Sequence, residues 1–237
     1  MEQFSAWQLR ERKVSVAIVT RRLSTLSSFY RWAARHEIVA GDPVALADKP
    51  KRPLRIPVWL EREEQARFEA TLKDRRNLPI NIFGNNQERM TATRRRYELL
   101  FGLLLNSGLR ISEALALKAA DVRIVDGIAR SARVIGKGNK ERRVPLPQPV
   151  LEELRRLWKT HRSPRWLCPS RRRNGSICRE ALWHTFRAAA REAGITKRLT
   201  PHSLRHGYAT RLLESGVDTR VVQILLRTPT YCQRTAG

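Results

Sequence analysis

Cysteine is scarce in this sequence of 237 residues, and long apolar runs are missing. The three cysteines are odd in number and have no CxxC spacing, which argues against a disulfide framework and against a zinc site: Cys168, Cys178 and Cys232. We therefore expect free thiols. No segment reaches the roughly 18 uninterrupted apolar residues of a membrane span, and residues 1–4 (MEQF) lack the basic start and apolar run of a signal peptide. These absences predict a cytoplasmic protein without a membrane partner.

Acidic charge is also scarce. Basic residues outnumber acidic residues by 47 to 22, which gives a formal net charge of +25 and a pI near 11.5. Such a large positive net charge favours a polyanionic partner. The basic residues are spread along the chain and belong to no single amphipathic helix, which argues against an anionic membrane surface. Nucleic acid is therefore the leading candidate partner.

The first fifty residues predict a small helical unit followed by a linker. Apolar residues recur at helical spacing between Val14 and His36, and arginines occupy the other face. Residues 49–57 (KPKRPLRIP) contain three prolines and four basic residues, a composition too stiff and too charged for a core element. We therefore predict a domain at 1–48, a linker at 49–57 and a second domain at 58–237.

The second domain is predicted to be mainly α-helical with one small antiparallel β-sheet. Its helices are predicted to begin near Leu60 and Arg110 and to occupy 97–106, 150–158, 179–193, 203–215 and, with Asp218 as the N-cap, the stretch up to Leu226. The predicted strands are 122–125, 128–135 and 143–146. The polar stretch 74–93 is predicted to be a loop.

Three short motifs, far apart in the sequence, place cationic side chains at two helix starts and one hairpin. They are residues 107–115 (SGLRISEAL), 136–142 (GKGNKER) and 200–206 (TPHSLRH). In the third motif, a histidine and an arginine three residues apart can face one phosphate at the start of a helix. Arginine suits this task because its planar fork donates two hydrogen bonds to one phosphate and stays charged. The motifs indicate a phosphate-binding site.

In this order and spacing, the three motifs resemble those of the tyrosine recombinases, also called the phage integrase family. Members of that family cut and rejoin DNA through a phosphotyrosine bond. The resemblance runs from about Leu23 to Leu226. It implies a catalytic domain preceded by a helical DNA-clamping domain, of which 1–48 holds only a part. It also implies double-stranded DNA as the partner, assembly as a tetramer on DNA, association with the bacterial nucleoid, and no ATP, metal or other cofactor.

The resemblance assigns roles to four residues. Arg110 and Arg205 match the paired arginines that hold the phosphate. His202 matches the histidine that supports the phosphate and trades protons with the nucleophile. Lys137 matches the hairpin lysine that gives a proton to the leaving 5′-hydroxyl. Two neighbours are weaker alternatives: Lys140 and His206.

The family pattern is broken after the last predicted helix. Arg227 and Thr228 stand where the pattern has Gly and then His or Trp, and the position nine residues beyond Thr228, where the nucleophilic tyrosine is expected, is Gly237. Tyr231 is a poor candidate for the nucleophile because no helix is predicted behind it. We therefore expect a chain truncated at both ends, monomeric in solution and without cleavage activity of its own.

Three functions are open on the sequence alone. The first is a site-specific DNA recombination or integration enzyme, and the second is a DNA-binding remnant that holds a phosphate but does not cut. The third is a basic RNA-binding or ribosome-associated protein, which the charge would suit but the motifs argue against. Trp166 and Trp183 could stack on bases, although tryptophans at helical spacing belong more often to a core.

Overall fold

The computed structural model describes residues 2–48, 50, 57–74, 87–126, 128–136, 141–160, 163, 165–170 and 174–226. The chain divides into two compact units, an N-terminal unit (Met1–Ile56) and a C-terminal unit (Pro57–Gly237). Of the predicted linker, only Pro50 and Pro57 are among the described residues. The predicted domain boundaries therefore stay predictions.

In its described residues, the N-terminal unit contains two helices, α1 (Glu2–Arg10) and α2 (Val16–Arg35). Its small core is formed by three fully buried residues: Val19, Leu23 and Val44. The prediction of a helix at 14–36 is confirmed as α2, whereas α1 was not predicted. The face that α1 buries includes Ser5 and Gln8. Because those residues are polar, the apolar periodicity that identifies a helix is absent there.

The C-terminal unit contains seven further helices within its described residues: α3 (Arg62–Lys73), α4 (Gln87–Asn106), α5 (Ile111–Ala116), α6 (Gln148–Thr160), α7 (Arg179–Glu192), α8 (Pro201–Glu214) and α9 (Thr219–Leu226). The predicted N-cap of α9 is confirmed, since the carboxylate of Asp218 accepts hydrogen bonds from the backbone N–H groups of Arg220 (2.8 Å) and Val221 (3.3 Å). None of the helices in the described part of the chain combines the length and hydropathy needed to cross a bilayer.

The predicted loop at 74–93 is wrong over its last part. Residues 75–86 lie outside the described residues, but α4 already begins at Gln87. The first turns of α4 are polar, so an apolar repeat becomes visible only from Tyr97 onward. The polar sequence of these turns favoured a loop. The helix forms because the later turns of α4 are buried in the core.

The core of the C-terminal unit is built around α4. Its second half is buried on all sides, with Leu99, Leu100 and Phe101 fully buried, as expected of a helix that is apolar all round. Phe101 packs against Phe68 of α3 and Phe186 of α7, with ring centroids 5.5 Å and 6.1 Å away. The buried α4 therefore fixes the position of the turn that follows it.

A three-stranded antiparallel sheet with the order β1-β2-β3 confirms the predicted fold class. Its strands are β1 (Val122–Val125), β2 (Ile128–Ile135) and β3 (Glu141–Pro145). Arg142 of β3 pairs with Val134 of β2, and Val144 pairs with Ala132. Because side chains alternate along a strand, Arg142 lies on the same inner face as the buried Val144. The hairpin residues 137–140 lie outside the described residues.

The two cysteines among the described residues form no disulfide. Cys168 and Cys178 are both free thiols, in agreement with the prediction for these two, and Cys232 lies outside the described residues. Burial raises the pKa of Cys168 to about 12. The Cys168 thiol is therefore protonated and unreactive at neutral pH.

Two buried glutamates meet where α4 packs on α6. Glu98 and Glu153 are 6% and 8% exposed, and Arg156 donates a hydrogen bond of 3.1 Å to Glu153. Burial and the charge of Glu98 raise the pKa of Glu153 above its ordinary value, although Arg156 opposes the shift. Protonated Glu153 therefore favours the folded state.

Glu153→Gln is expected to make stability less dependent on pH. Because the folded-state pKa of Glu153 is raised, its protonation stabilises the fold fully below the ordinary glutamate pKa, and this contribution is lost as the pH rises through the raised value. Urea unfolding is measured at about pH 5 and about pH 8, and the free energy of unfolding at pH 8 relative to that at pH 5 should be higher in Glu153→Gln than in the unmodified chain. Glu152→Gln, one residue away and exposed, is the control; an equal effect there would contradict the assignment.

Candidate phosphate-binding site

The turn between α4 and α5 places Arg110 at a helix N-terminus. Gly108 has a φ of +59°, the left-handed conformation that reverses the chain after α4. Leu109 is fully buried and anchors the turn in the core. Arg110 is then the N-cap residue of α5, and 33% of its side chain is exposed. The turn therefore places the Arg110 guanidinium at the surface, on a stretch of backbone that the buried Leu109 anchors in the core.

Glu113, the third residue of α5, holds Arg110 in place through hydrogen bonds. Its carboxylate accepts a hydrogen bond of 2.8 Å from the backbone N–H of Arg110 and one of 3.0 Å from the Arg110 guanidinium. The side chain of Glu113 is only 4% exposed. A buried carboxylate at a helix start is favourable because it satisfies an otherwise unpaired N–H and faces the positive end of the helix dipole.

Arg142 of β3 holds the same carboxylate with both arms of its guanidinium. The two hydrogen bonds to the Glu113 oxygens measure 2.8 Å and 2.7 Å, and the Arg142 side chain is 8% exposed. Burial alone would raise the pKa of Glu113, but the hydrogen bonds from Arg142 and Arg110 lower that pKa to about 2. Glu113 is therefore ionised at any physiological pH.

Arg205 of α8 approaches this cluster from the other side. Its terminal nitrogen lies 3.9 Å from a carboxylate oxygen of Glu113, and its side chain is 5% exposed. The guanidinium also donates hydrogen bonds to the backbone carbonyls of Gly108 and Leu226. Burial, followed by the nearby charge of Arg110, lowers the pKa of Arg205 to about 10. Three guanidiniums thus surround one carboxylate, which leaves two positive charges in excess.

Two histidines border the cluster on α8. His202 is exposed, and its ring lies 5.3 Å from that of His206, at an interplanar angle of 83°. Partial burial, followed by the charges of His206, Arg205 and Arg110, lowers the pKa of His202. Burial and Arg205 likewise lower the pKa of His206. Both imidazoles are therefore mainly neutral at pH 7, and His202 can accept a proton.

Of the four predicted site residues, the structure brings Arg110, His202 and Arg205 together. Lys137 and its alternative Lys140 lie outside the described residues, as do Arg227, Thr228 and Tyr231. The described residues contain no group of three or more histidine, cysteine, aspartate or glutamate side chains that could hold a metal ion.

Sequence reasoning did not identify the central pair of the cluster, Glu113 and Arg142. One signal was available: a glutamate three residues after Arg110 can close a capping box, which predicts a buried carboxylate at that helix start. Arg142 was visible only as one basic residue among several in the second motif. Its burial depends on the register of β3 against β2, which the sequence does not specify.

The chain is similar to known proteins in sequence and in fold. The model of the Phage integrase family matches residues 82–227. The Tyrosine recombinase XerD of Staphylococcus saprophyticus is 35% identical over 225 residues, which cover 92% of this chain and 70% of that protein.

Solved structures show the same fold. One is the XerH site-specific recombinase bound to a palindromic difH substrate, with a TM-score of 0.75 and 19% identity, covering 96% of this chain and 65% of that one. Another is a lambda integrase dimer bound to a COC′ core site, with a TM-score of 0.68 and 20% identity, covering 95% of this chain and 76% of that one. With the family match over most of the C-terminal unit, these likenesses lead to one conclusion: the chain belongs to the phage integrase family, the tyrosine recombinases.

Proposed function

We propose that this chain acts in site-specific DNA recombination and that Arg110, Arg205 and His202 bind the phosphate at which a DNA strand is broken and rejoined. The observation that carries the proposal is the meeting of the Arg110 and Arg205 guanidiniums on one buried carboxylate, at 3.0 Å and 3.9 Å. Two helices that are distant in sequence thereby present their arginines at one place. A phosphate bridging two such groups would replace no packed residue, because Arg110 is partly exposed.

The charge of the cluster suits phosphoryl transfer. The transition state concentrates negative charge on the non-bridging oxygens, and fixed cations lower its energy. The two bonds from Arg205 to backbone carbonyls occupy two of the five N–H donors of its guanidinium. The excess of two positive charges matches the charge that builds up on the phosphate.

Proton transfer is the second requirement. In the proposed reaction, a tyrosine oxygen attacks phosphorus, the bond to the 5′-oxygen breaks, and the 5′-hydroxyl leaves with a proton. Neutral His202 suits the removal of the tyrosine proton. Lys137 is the proposed donor to the leaving group. In the sequence, Lys137 lies between β2 and β3, and Arg142 of β3 is bonded to Glu113. Arg142 and Glu113 belong to the group of Arg110, Glu113, Arg142 and Arg205 that is called the phosphate cluster below.

Double-stranded DNA is the proposed partner. The net charge of +25 supports a polyanion, and the similar XerH and lambda integrase structures are complexes with DNA. We expect Arg110→Ala to lower the affinity for duplex DNA about tenfold and to reduce the salt dependence of binding by about one phosphate contact. Fluorescence anisotropy over a range of salt concentrations measures both quantities.

Arg191→Ala is the matched control, because the Arg191 side chain is 79% exposed and lies in the last turn of α7. An equal loss of affinity in Arg110→Ala and Arg191→Ala would mean that only net charge matters. Equal affinity for duplex RNA and duplex DNA would favour the RNA-binding alternative.

DNA binding without cleavage is the second candidate function, and one observation favours it: Arg227 and Thr228 replace the Gly and His or Trp of the family pattern. A suicide substrate, nicked DNA from the locus that encodes the chain, separates the two candidates. A covalent protein–DNA adduct that is lost in Tyr231→Phe would establish cleavage with Tyr231 as the nucleophile. Duplex binding with no adduct would establish the binding function.

A further inference from the structure

A cavity of about 340 Å³ lies beside the phosphate cluster, between the first turns of α5, α7 and α8. Its lining surface is mostly apolar, and its charged side chains are one arginine and one glutamate; the lining residues are Ile111, Arg179, Glu180, Trp183, His184, Thr200, Pro201 and His202. A concave, mostly apolar site of this size with a few polar groups is typical of small-ligand binding. The reaction steps proposed above make no use of this cavity.

Trp183 is the largest side chain of the cavity wall. It is 38% exposed, although large aromatic side chains are usually well buried. The guanidinium of Arg187 lies 4.9 Å from the centre of the indole, and the ring of His184 lies 5.4 Å away, edge-on. These neighbours hold the indole in place. An indole that is fixed and exposed in this way is a stacking surface for a planar ligand.

The cavity is continuous with the phosphate cluster. His202 lines the cavity and borders the cluster, and Ile111 of the cavity wall directly follows Arg110. A ligand bound by Arg110 therefore lies next to the cavity.

We propose that this cavity binds the nucleoside joined to the phosphate at Arg110, with its base turned out of the duplex and stacked against Trp183. The inference rests on the proposed function, because it assumes that the cluster holds a phosphate. A nucleoside is favoured over other apolar ligands because it is the group that a DNA phosphate carries. Its base supplies a planar face, and Arg179 adds positive charge beside it. Stacking of bases on aromatic side chains is tolerant of sequence, so this contact adds affinity without choosing a base.

Small ligands test the cavity separately from the phosphate cluster. The full chain is titrated with deoxyadenosine, inorganic phosphate and deoxyadenosine 3′-monophosphate at low ionic strength, and binding is followed by NMR at the backbone amide resonances, which stay observable when Trp183 is replaced. The monophosphate is expected to bind about tenfold more tightly than inorganic phosphate. Trp183→Ala should abolish this gain and the binding of deoxyadenosine while leaving the affinity for inorganic phosphate unchanged.

Trp32→Ala is the matched control. Trp32 is also a half-exposed helical tryptophan, at 49%, with a histidine ring 4.9 Å away, but it belongs to the N-terminal unit. Trp183→Phe should retain part of the gain because it keeps an aromatic face.

Two outcomes overturn the inference. In one, deoxyadenosine does not bind and the monophosphate is no better than inorganic phosphate; in the other, the gain survives in Trp183→Ala. A failure of inorganic phosphate to bind counts instead against the proposed function, and binding of deoxyadenosine that depends on Trp183 would still support the cavity.

Discussion

Replacement of Arg142 by methionine is expected to weaken duplex DNA binding by about tenfold or more and to reduce its salt dependence by about one phosphate contact. The expectation is unusual because both terminal nitrogens of Arg142 are hydrogen-bonded to Glu113, so that Arg142 is not itself one of the proposed phosphate ligands. Its effect is transmitted by Glu113. Arg142 occupies both oxygens of that carboxylate, which leaves Arg110 partly exposed and able to turn toward a ligand.

Loss of Arg142 removes the largest interaction that lowers the pKa of Glu113, but Arg110 still donates to the carboxylate from its backbone and its side chain, and we expect these bonds to keep it charged. A buried charge without a full partner is costly. Arg110, already at 3.0 Å, is the cation best placed to supply the missing hydrogen bonds. Glu113 then competes with the phosphate for the same guanidinium, and the excess positive charge of the cluster falls.

Double substitution distinguishes this route from a simple loss of charge. If Arg142 acts through Arg110, then Arg110→Ala/Arg142→Met should bind DNA no more weakly than Arg110→Ala alone, because the loss of Arg142 has no further effect once the Arg110 side chain is absent. Arg142→Lys should rescue little, because an ammonium cannot form the two-armed contact. Additive losses in the double variant would show that Arg142 acts independently of Arg110. Thermal unfolding of each variant checks that the fold is retained.

Gly108→Ala is expected to destabilise the C-terminal unit by about 3 kcal/mol or more. The left-handed backbone conformation at Gly108 would cost a side chain ~1–2 kcal/mol. In addition, a Cβ atom at this position would lie 2.5 Å from the ring of Tyr208 and 2.6 Å from a methyl group of Leu226. Such overpacking costs ~1–3 kcal/mol. Urea unfolding measures the sum.

Gly194→Ala separates the two contributions to that cost. Gly194 has nearly the same conformation, with a φ of +67°, but a Cβ atom there would meet nothing within 4 Å. Its replacement should therefore cost only the ~1–2 kcal/mol of the backbone term. If Gly108→Ala and Gly194→Ala prove equally destabilising, the contacts with Tyr208 and Leu226 do not contribute.

Local sequence signals predicted much of the fold. β1 and β2 have the predicted bounds because a turn signal at Asp126 separates two apolar segments, and Asp126 indeed adopts a φ of +52°. The third strand starts two residues earlier than predicted, at Glu141. Polar residues obscured α1 and the beginning of α4, because their helical faces are not marked by an apolar repeat.

The site was predictable only where one motif contained the evidence. His202 and Arg205 share a helix start, so their proximity follows from helical spacing. The pairing of Glu113 with Arg142 joins α5 to β3 and arises from tertiary packing, which no local pattern encodes. The same is true of the cavity at Trp183, whose walls come from three helices.

The contacts of Arg205 also determine when the site can exist during folding. Arg205 reaches the carbonyl of Gly108 across 97 positions of sequence, whereas Arg142 and Glu113 are 29 positions apart. Contacts between distant positions close large loops and form late, and a chain under synthesis emerges from its N-terminus. The Glu113–Arg142 pair can therefore form before α8 has been synthesised. We expect the phosphate-binding site to be complete only later, after α8 has been synthesised and has packed against the core.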